Sequence, residues 1–175
     1  GIDSSASVAL AVRALGPERV FALILPERDS SDDSAARANI LASHLGIRVE
    51  TVDIAPALAA IGCYKARDEA VRRALPEYGE GWRFKIVIEG GIDGQINRFK
   101  LVAVSPTGEQ VERPLGLSEY LQIVAATNFK QRIRKNLEYF HADRLNDGVV
   151  GTPNRLEYDQ GFFVKNGDGA ADVKP

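Results

Sequence analysis

In the first third of the chain, the spacing of apolar positions switches between a pattern typical of helices and a pattern typical of strands. Residues 8–15 and 38–45 carry apolar side chains at the i, i+3, i+4 spacing of one helical face, and each stripe ends at a glycine. Residues 20–25, VFALIL, form a continuous apolar run that predicts a strand buried on both faces. Residues 47–54 predict a second strand. Short helices that alternate with strands predict parallel pairing.

The middle of the chain changes pattern. Residues 82–113 contain three strand-like segments separated by GGIDGQ and SPTGE, which are typical of hairpin turns. Residues 84–89 alternate between apolar Phe84, Ile86 and Ile88 and the set Lys85, Val87 and Glu89, as in a sheet with one wet face. We therefore predict a small antiparallel insertion at 82–113.

Helical periodicity returns from Leu117 to Arg144, and Asn128 is the position where a break would fall. Residues 148–151, GVVG, predict a short strand. The whole chain, residues 1–175, then reads as a single α/β domain with an open, mostly parallel sheet, helices on both faces and the insertion at 82–113.

Composition narrows the class of protein. The formal net charge of −2 favours neither nucleic acid nor an anionic membrane, and no apolar run is long enough to cross a bilayer. A single cysteine, Cys63, permits no internal disulfide, fits a small buried hydrophobe and suits the cytoplasm. The chain has only two histidines, His44 and His141, and this small number of zinc-ligating residues argues against a zinc site. Methionine is absent and the chain opens at a helix cap, so we expect truncation at both ends.

The first five residues, GIDSS, place a carboxylate and two hydroxyls at the start of a helix. Backbone N–H groups and the helix dipole make such a position a phosphate site. Asp3 would repel phosphate unless a divalent cation lay between them. The alternative is an ordinary Asp/Ser helix cap, which these five residues alone favour.

A second motif, GTPNRLEYDQ, follows the predicted strand at 148–151. Thr152 would lie at the carboxyl edge of the sheet, where open α/β folds bind ligands. We expect Thr152 to cap a helix that starts at Pro153, with Glu157 about one turn farther on. The alternative for Glu157 is a solvated helix carboxylate.

The third motif, KNGDGAAD, spaces Lys165, Asp168 and Asp172 among glycines that would let the backbone approach a ligand. A polar surface turn is the alternative. Phe162 and Phe163 directly before it favour an anchored loop.

In their order, these motifs resemble the NAD synthetase family of N-type ATP pyrophosphatases. Gly1-Ile2-Asp3-Ser4 is similar to the back half of that family's Ser-Gly-Gly-x-Asp-Ser loop. The block NFKQRIR…VVGTPNRLEYDQGFFVKNGDGAAD is similar to its Arg-x-Arg, Gly-Thr and Lys-x-Gly-Asp-Gly-x-x-Asp signatures. Lys135 departs from the family's methionine, and the 82–113 insertion lies outside its compact pattern. The resemblance implies an adenine nucleotide alpha hydrolase-like, Rossmann-like fold.

The resemblance also implies roles for individual residues. Asp3 and Glu157 would hold Mg²⁺. ATP would contact Gly1, Ile2, Asp3, Ser4, Ser5, Leu25 and Thr152. Deamido-NAD would contact Arg132, Lys165 and Asp172. Asp168 is a candidate for positioning ammonia, and the catalytic set would be Asp3, Glu157 and Asp168.

The implied reaction is the ATP-dependent amidation of deamido-NAD to NAD through an acyl-adenylate. The nitrogen would come from ammonia, or from glutamine through an amidotransferase domain or subunit, and the protein would be a homodimer. Water must be kept from the adenylate, so we expect a mobile lid at residues 26–34 or 167–169. Two alternatives stay open: another ATP pyrophosphatase with a different acceptor, and a non-catalytic nucleotide-binding homologue.

Overall fold

The computed structural model describes residues 1–90 and 98–174, which divide into two units. The first unit contains Gly1–Leu58 and the described residues from Asn128 onward, and the second contains Ala59–Thr127. The prediction of one domain with an insertion at 82–113 stays a prediction.

Helices and strands alternate at the start of the first unit, as the apolar periods predict. The order is α1 (Ile2–Leu15), β1 (Phe21–Ile24), α2 (Asp32–Leu45) and β2 (Arg48–Thr51). β1 pairs with β2 in parallel, with Phe21 opposite Arg48, which confirms the predicted pairing. Gly46 ends α2 in the left-handed conformation at φ +68°, where a side chain would be strained.

The prediction that β1 is buried on both faces is wrong. All four of its residues are half-buried, because β2 is its one strand partner among the described residues. The second strand, predicted at residues 47–54, is shorter in the structure, where β2 covers only Arg48–Thr51.

A 29-residue helix, α5 (Leu117–Leu145), runs without a break through Asn128. It contains neither proline nor glycine, so nothing in its sequence interrupts the hydrogen-bond ladder. The interruption considered near Asn128 does not occur.

The predicted strand at 148–151 is reduced to a single parallel bridge between Val150 and Val173. The Gly151 N–H donates to the Val173 carbonyl at 2.8 Å, and the Asp172 N–H donates to the Val149 carbonyl at 2.9 Å. Glycines bound the segment on both sides, and its pairing extends over too few residues to form a strand. A short helix, α6 (Arg155–Asp159), follows.

The second unit contains the predicted antiparallel sheet. Helix α3 (Ala55–Ala60) crosses the boundary between the units, and α4 (Cys63–Ala74) precedes β3 (Arg83–Glu89), β4 (Arg98–Val104) and β5 (Gln110–Leu115). The strand order β3-β4-β5 with antiparallel pairing confirms the predicted topology. The first predicted turn, GGIDGQ at residues 90–95, lies outside the described residues from position 91 onward.

A separate core fills the second unit, with fully buried Val71, Leu75 and Leu101 at its centre. Phe84 and Ile86 pack against this core as the alternation predicts, whereas Ile88 is 57% exposed. Cys63 is buried, and its thiol lies 3.3 Å from the Ala126 carbonyl, as expected of a small core residue. Over residues 1–90 and 98–174, no helix combines the length and apolar character that crossing a membrane requires.

Candidate functional site

The amino-terminal end of α1 presents the first motif. The Ser4 and Ser5 hydroxyls both donate to the Gly1 carbonyl at 2.9 Å, and the Asp3 side chain beside them is half-buried. The first backbone N–H groups of the helix have no acceptor within it, so they are available to an anion. The first turn therefore combines unbonded N–H groups with a carboxylate, and its role as a phosphate site stays a prediction.

A cavity of about 1370 Å³ opens beside this turn. Part of its wall consists of predicted site residues, namely Gly1, Ile2, Ser4, Ser5, Thr152 and Asp168. Most of the remaining wall comes from α1, β1, α2, β2, the carboxyl-terminal part of α5 and the segments 18–20 and 146–150. The other predicted residues, among them Asp3 and Glu157, lie outside this lining.

Lys135, which departs from the family pattern, faces the same cavity. Its side chain is only 7% exposed and forms an ion pair with Glu138 one turn along α5. The pairing explains how a lysine occupies a buried position that suits methionine, because a buried ammonium needs a partner.

Helix α6 does not begin where the sequence predicted. Its N-cap is Asn154, not Thr152, and Pro153 precedes the helix instead of opening it. The Asn154 side chain accepts from the Glu157 N–H at 3.1 Å, and Glu157 Oε2 accepts from the Asn154 N–H at 2.8 Å. This reciprocal pair of hydrogen bonds is a capping box. It stabilises a helix that begins after Asn154 over one that begins after Thr152.

The same asparagine brings the two predicted metal ligands together. Asn154 Nδ2 makes a long contact of 3.5 Å with Asp3 Oδ1, while its backbone N–H holds Glu157. Two carboxylates from opposite ends of the sequence thus meet at one residue.

The donor set of this pair fits Mg²⁺. Asp3 contacts Asn154 through one carboxylate oxygen, as does Glu157, and no described residue bonds to the second oxygen of either. Mg²⁺ is commonly held by one or two carboxylates together with substrate phosphates. Within residues 1–90 and 98–174 no group of three or more His, Cys, Asp or Glu side chains forms an all-protein metal cage.

Arg132 and Lys165 also meet. The half-buried Arg132 guanidinium donates through Nε to the Lys165 carbonyl at 3.1 Å, and the Lys165 side chain is exposed. Two cationic side chains therefore lie at the junction of α5 and the KNGDGAAD loop, an arrangement suited to anionic groups.

Asp172 is held by the protein itself. Its Oδ2 accepts from the Val149 N–H at 2.8 Å, and its Oδ1 accepts from the Tyr139 hydroxyl at 3.1 Å. Two effects raise the pKa of Tyr139 above its ordinary value: burial, which is the larger, and the hydrogen bond to Asp172. Asp172 thus fastens the end of the loop to α5 and to residue 149.

The glycines of the KNGDGAAD loop serve packing. A Cβ on Gly169 would lie 2.4 Å from the Phe163 ring, and one on Gly167 would lie 3.0 Å from side-chain atoms of Gln131 and Val164. Asp168 Oδ1 accepts from the Val164 N–H at 2.8 Å and closes the turn. Phe163 contacts the Tyr158 ring and lies beside Gly169, although 38% of it is exposed. Phe162 is 75% exposed, so at most one of the two predicted anchors packs against the loop.

Leu25, the predicted adenine contact, follows β1 directly. Its side chain is half-buried, and its carbonyl accepts from Arg134 Nε at 3.3 Å. The second arginine of the Arg-x-Arg pair therefore supports the backbone at Leu25, while the first reaches Lys165.

Three residues that link distant parts of the chain were not predicted from the sequence: Asn154, Tyr139 and Lys130. The Asn-x-x-Glu spacing is a capping-box pattern that could have identified Asn154. Tyr139 and Lys130 lie within a long helix, and no local pattern marks their partners 33 and about 100 positions away.

Comparison with known proteins identifies the family of this chain. A family model described as NAD synthase matches residues 1–116 and 95–175. The chain belongs to the NAD synthase family.

Curated relatives match over the whole chain. The NH(3)-dependent NAD(+) synthetase of Rhizobium meliloti (strain 1021) is 56% identical over 176 residues, which cover 100% of this chain and 53% of that protein. The protein of the same name from Thermotoga maritima is 38% identical over 175 residues, covering 100% of this chain and 57% of that protein. The chain thus spans about half the length of the curated relatives it matches.

Solved structures share the fold. An NMN synthetase from Francisella tularensis matches with a TM-score of 0.62 at 24% identity, covering 100% of this chain and 51% of that one. An NH3-dependent NAD synthetase from Campylobacter jejuni, in complex with the nitrate ion, matches with a TM-score of 0.62 at 23% identity. This match covers 100% of this chain and 53% of that one. These matches support the α/β architecture with its parallel sheet and its additional antiparallel sheet.

Proposed function

We propose that the full-length protein uses ATP to convert deamido-NAD and ammonia to NAD, AMP and pyrophosphate. The observation that carries the proposal is the meeting of Asp3 and Glu157 at Asn154, beside the anion-binding turn of α1. The 56% identity to an NH(3)-dependent NAD(+) synthetase across the whole chain supports the same reaction.

The reaction requires activation because hydroxide is too poor a leaving group for ammonia to displace from a carboxylate. An oxygen of the nicotinate carboxylate attacks the α-phosphorus of ATP, and pyrophosphate leaves. Ammonia then attacks the acyl carbon, the bond to AMP breaks, and the nitrogen loses a proton as the amide forms. Asp168, which lines the cavity, is our candidate for positioning ammonia.

The α1 turn would bind the ATP phosphates through its N–H groups and the Ser4 and Ser5 hydroxyls. Thr152 and Ile2 line the cavity next to it, and Leu25 would contact the adenine. Asp3 and Glu157 would hold Mg²⁺, which supplies positive charge between carboxylate and polyphosphate when bound.

Deamido-NAD would bind through Arg132 and Lys165, whose cationic groups suit its two phosphates and its carboxylate. Asp172 already accepts two hydrogen bonds, but each carboxylate oxygen can accept more than one. We therefore propose that Asp172 contacts deamido-NAD and also orders the KNGDGAAD loop.

The test is ATP–pyrophosphate exchange by the full-length protein. We expect exchange that depends on deamido-NAD and Mg²⁺. Exchange supported instead by xanthosine monophosphate or tRNA would assign the chain to another ATP pyrophosphatase activity. ATP binding in calorimetry without any exchange would indicate a non-catalytic nucleotide-binding protein.

We further propose a cytoplasmic homodimer that takes free ammonia and needs no amidotransferase domain or subunit. The relatives are named NH(3)-dependent, and the buried Cys63 thiol suits a reducing compartment. Light scattering of the full-length protein should give twice the monomer mass at micromolar concentration, and a monomer would contradict the dimer.

A further inference from the structure

The antiparallel sheet of the second unit ends at two unlike edges. Among the described residues, β3 and β5 each pair with β4 alone. An edge strand presents unpaired backbone N–H and C=O groups, which form a template for another strand. In β5 this template is interrupted by Pro114, because proline has no N–H to donate. β3, with the sequence RFKIVIE, contains no proline and no glycine, so its edge is continuous over seven residues.

The charges of β3 are placed so that the strand complements itself. Arg83 is its first residue and Glu89 its last. When two copies pair antiparallel with Ile86 opposite Ile86, Arg83 of each copy lies opposite Glu89 of the other. Since 86 is the central position, this register pairs all seven residues of both strands. Opposite charges directly across two strands stabilise their pairing, whereas like charges destabilise it.

Both charged side chains are accessible for this pairing. Arg83 is exposed. The Glu89 side chain is 50% exposed and forms an ion pair with Lys100 of β4 in its own chain. Because a carboxylate has two oxygens, Glu89 can hold Lys100 and still accept from Arg83 of a second copy.

The other face of β3 supplies apolar complementarity in the same register. Phe84 and Ile86 pack against the core of the second unit, whereas Ile88 on the same face is 57% exposed. With Ile86 opposite Ile86, Ile88 lies opposite Phe84 of the second copy, which would cover part of its exposed surface. One register therefore serves the backbone edge, the charges and the exposed isoleucine.

We propose that two copies of this chain associate through the β3 edge, with Ile86 at the two-fold axis. The two three-stranded sheets then form one continuous antiparallel sheet. The contact is isologous, because the same seven residues meet in both copies. It uses no residue assigned to ATP, metal or dinucleotide, so it does not rest on the proposed reaction.

Cross-linking of the full-length protein tests the register. Lys85 of one copy lies opposite Val87 of the other, on the face that points away from Phe84 and Ile86. Cβ atoms of directly opposite residues are about 4.5–5.5 Å apart, close to the separation that a disulfide spans. When Lys85→Cys and Val87→Cys chains are mixed under mild oxidation, we expect a disulfide that joins one chain of each kind.

The single variants are the controls for the cross-link. In Lys85→Cys alone, the two introduced thiols are diagonal neighbours about 7–8 Å apart, so disulfide formation should be at least about tenfold lower. The wild type reports any background from Cys63, which is buried. Equal cross-linking in the mixture and in the single variants would indicate random collision and overturn the proposed register.

Charge reversal tests the pairing of Arg83 with Glu89. Arg83→Glu places like charges opposite each other at both ends of the paired strands, so association should weaken at least about tenfold in sedimentation experiments. Mixing Arg83→Glu with Glu89→Arg restores opposite charges at both ends, and the mixture should associate more tightly than either variant alone. Arg113→Glu is the matched control, because Arg113 lies on β5, and its side chain is 45% exposed. It should leave association unchanged.

Two further results separate the possible failures. If the protein is dimeric, yet forms no mixed disulfide and keeps its mass in Arg83→Glu, the copies meet elsewhere. The proposed homodimer would then stand, and the β3 pairing would be wrong. If the amides of β3 are protected from hydrogen exchange in a monomeric full-length protein, a segment of the same chain covers the edge, which also contradicts the proposal. None of these measurements uses ATP–pyrophosphate exchange, so failure of the proposed reaction would leave them valid.

Discussion

Asn154 shows how one neutral side chain can organise two carboxylates. Two carboxylates that share a site repel each other, and a third charge there would add to the repulsion. An amide can donate to one carboxylate and accept from the backbone of the other residue, and Asn154 does both with Asp3 and Glu157. The two carboxylates thus contact the same asparagine, and the second oxygen of each has no bonding partner among the described residues.

Replacing Glu157 with Gln tests this assignment at the scale of one residue. Glutamine keeps an oxygen that can accept from the Asn154 N–H, so the cap of α6 should survive. The charge that balances a cation is lost, and one preorganised electrostatic group is commonly worth about 3–4 kcal/mol of barrier. We expect pyrophosphate release by the full-length protein to fall about 100- to 1000-fold at saturating Mg²⁺.

Asp159→Asn is the matched control for this prediction. Asp159 lies on the same helix, and its side chain is 64% exposed and pairs with Arg155. Its loss should change pyrophosphate release by less than about twofold. Near-normal release by Glu157→Gln would mean that Glu157 serves only as a helix cap.

The contact between Asp3 and the α6 region was expected from the sequence on the assumption that residues 148–151 form a strand of a parallel sheet, whose strand ends share one edge. The structure forms only an isolated bridge there, yet the contact is present. The identity of the cap could not be decided in the same way. Thr152 and Asn154 are both good N-caps, and Pro153 favours a start directly after Thr152. The reciprocal bond from Glu157 decides for Asn154, and this requires the folded geometry.

At the scale of elements, Asp172 joins three parts of the chain. Its carboxylate binds the Val149 N–H and the Tyr139 hydroxyl, so it ties the end of the KNGDGAAD loop to the parallel bridge and to α5. Only the neutral phenol can donate this bond. The raised pKa of Tyr139 means that the folded state favours the protonated form.

The pH dependence follows from that direction. The Tyr139 contribution to stability is complete below the ordinary tyrosine pKa of about 10 and is lost as the pH rises through the higher pKa of the folded state. The difference between alkaline absorbance titrations of wild type and Tyr139→Phe isolates this phenol. We expect it to titrate above 10.

Burial is the larger cause of this shift, so Asp172→Asn should lower the Tyr139 pKa only in part. A return to the ordinary tyrosine value in Asp172→Asn would show that the carboxylate, not burial, dominates. A wild-type phenol that titrates at or below about 10 would contradict the hydrogen bond itself.

Element types were predictable where the apolar period was strong. The stripes at 8–15 and 38–45 became α1 and α2, and the alternation in 84–89 became β3. Residues 148–151 lack such a pattern, and their conformation depends on Asp172 and Val173, which come more than 20 positions later. The same holds for the loop at residues 25–30, whose partner Lys130 lies about 100 positions away.

At the scale of the whole molecule, the proposed site residues fall within one unit. Those for ATP, metal and dinucleotide lie before Leu58 or after Asn128, and residues 59–127 build a separate core. The part of the sequence that resembles the family motifs is therefore also the part that supplies the proposed chemistry.

The nitrogen source is a property of the whole protein, and its pH dependence tests it. Only unprotonated ammonia has the lone pair that attacks the acyl-adenylate, whereas ammonium does not. At a fixed, subsaturating concentration of total ammonium, NAD formation by the full-length protein should rise with pH in proportion to free ammonia. Pyrophosphate exchange precedes the nitrogen step, so it should not follow free ammonia and serves as the internal control. If glutamine sustained NAD formation at a rate independent of added ammonium, the proposed donor would be wrong, because the nitrogen would then come from an amide hydrolysed elsewhere.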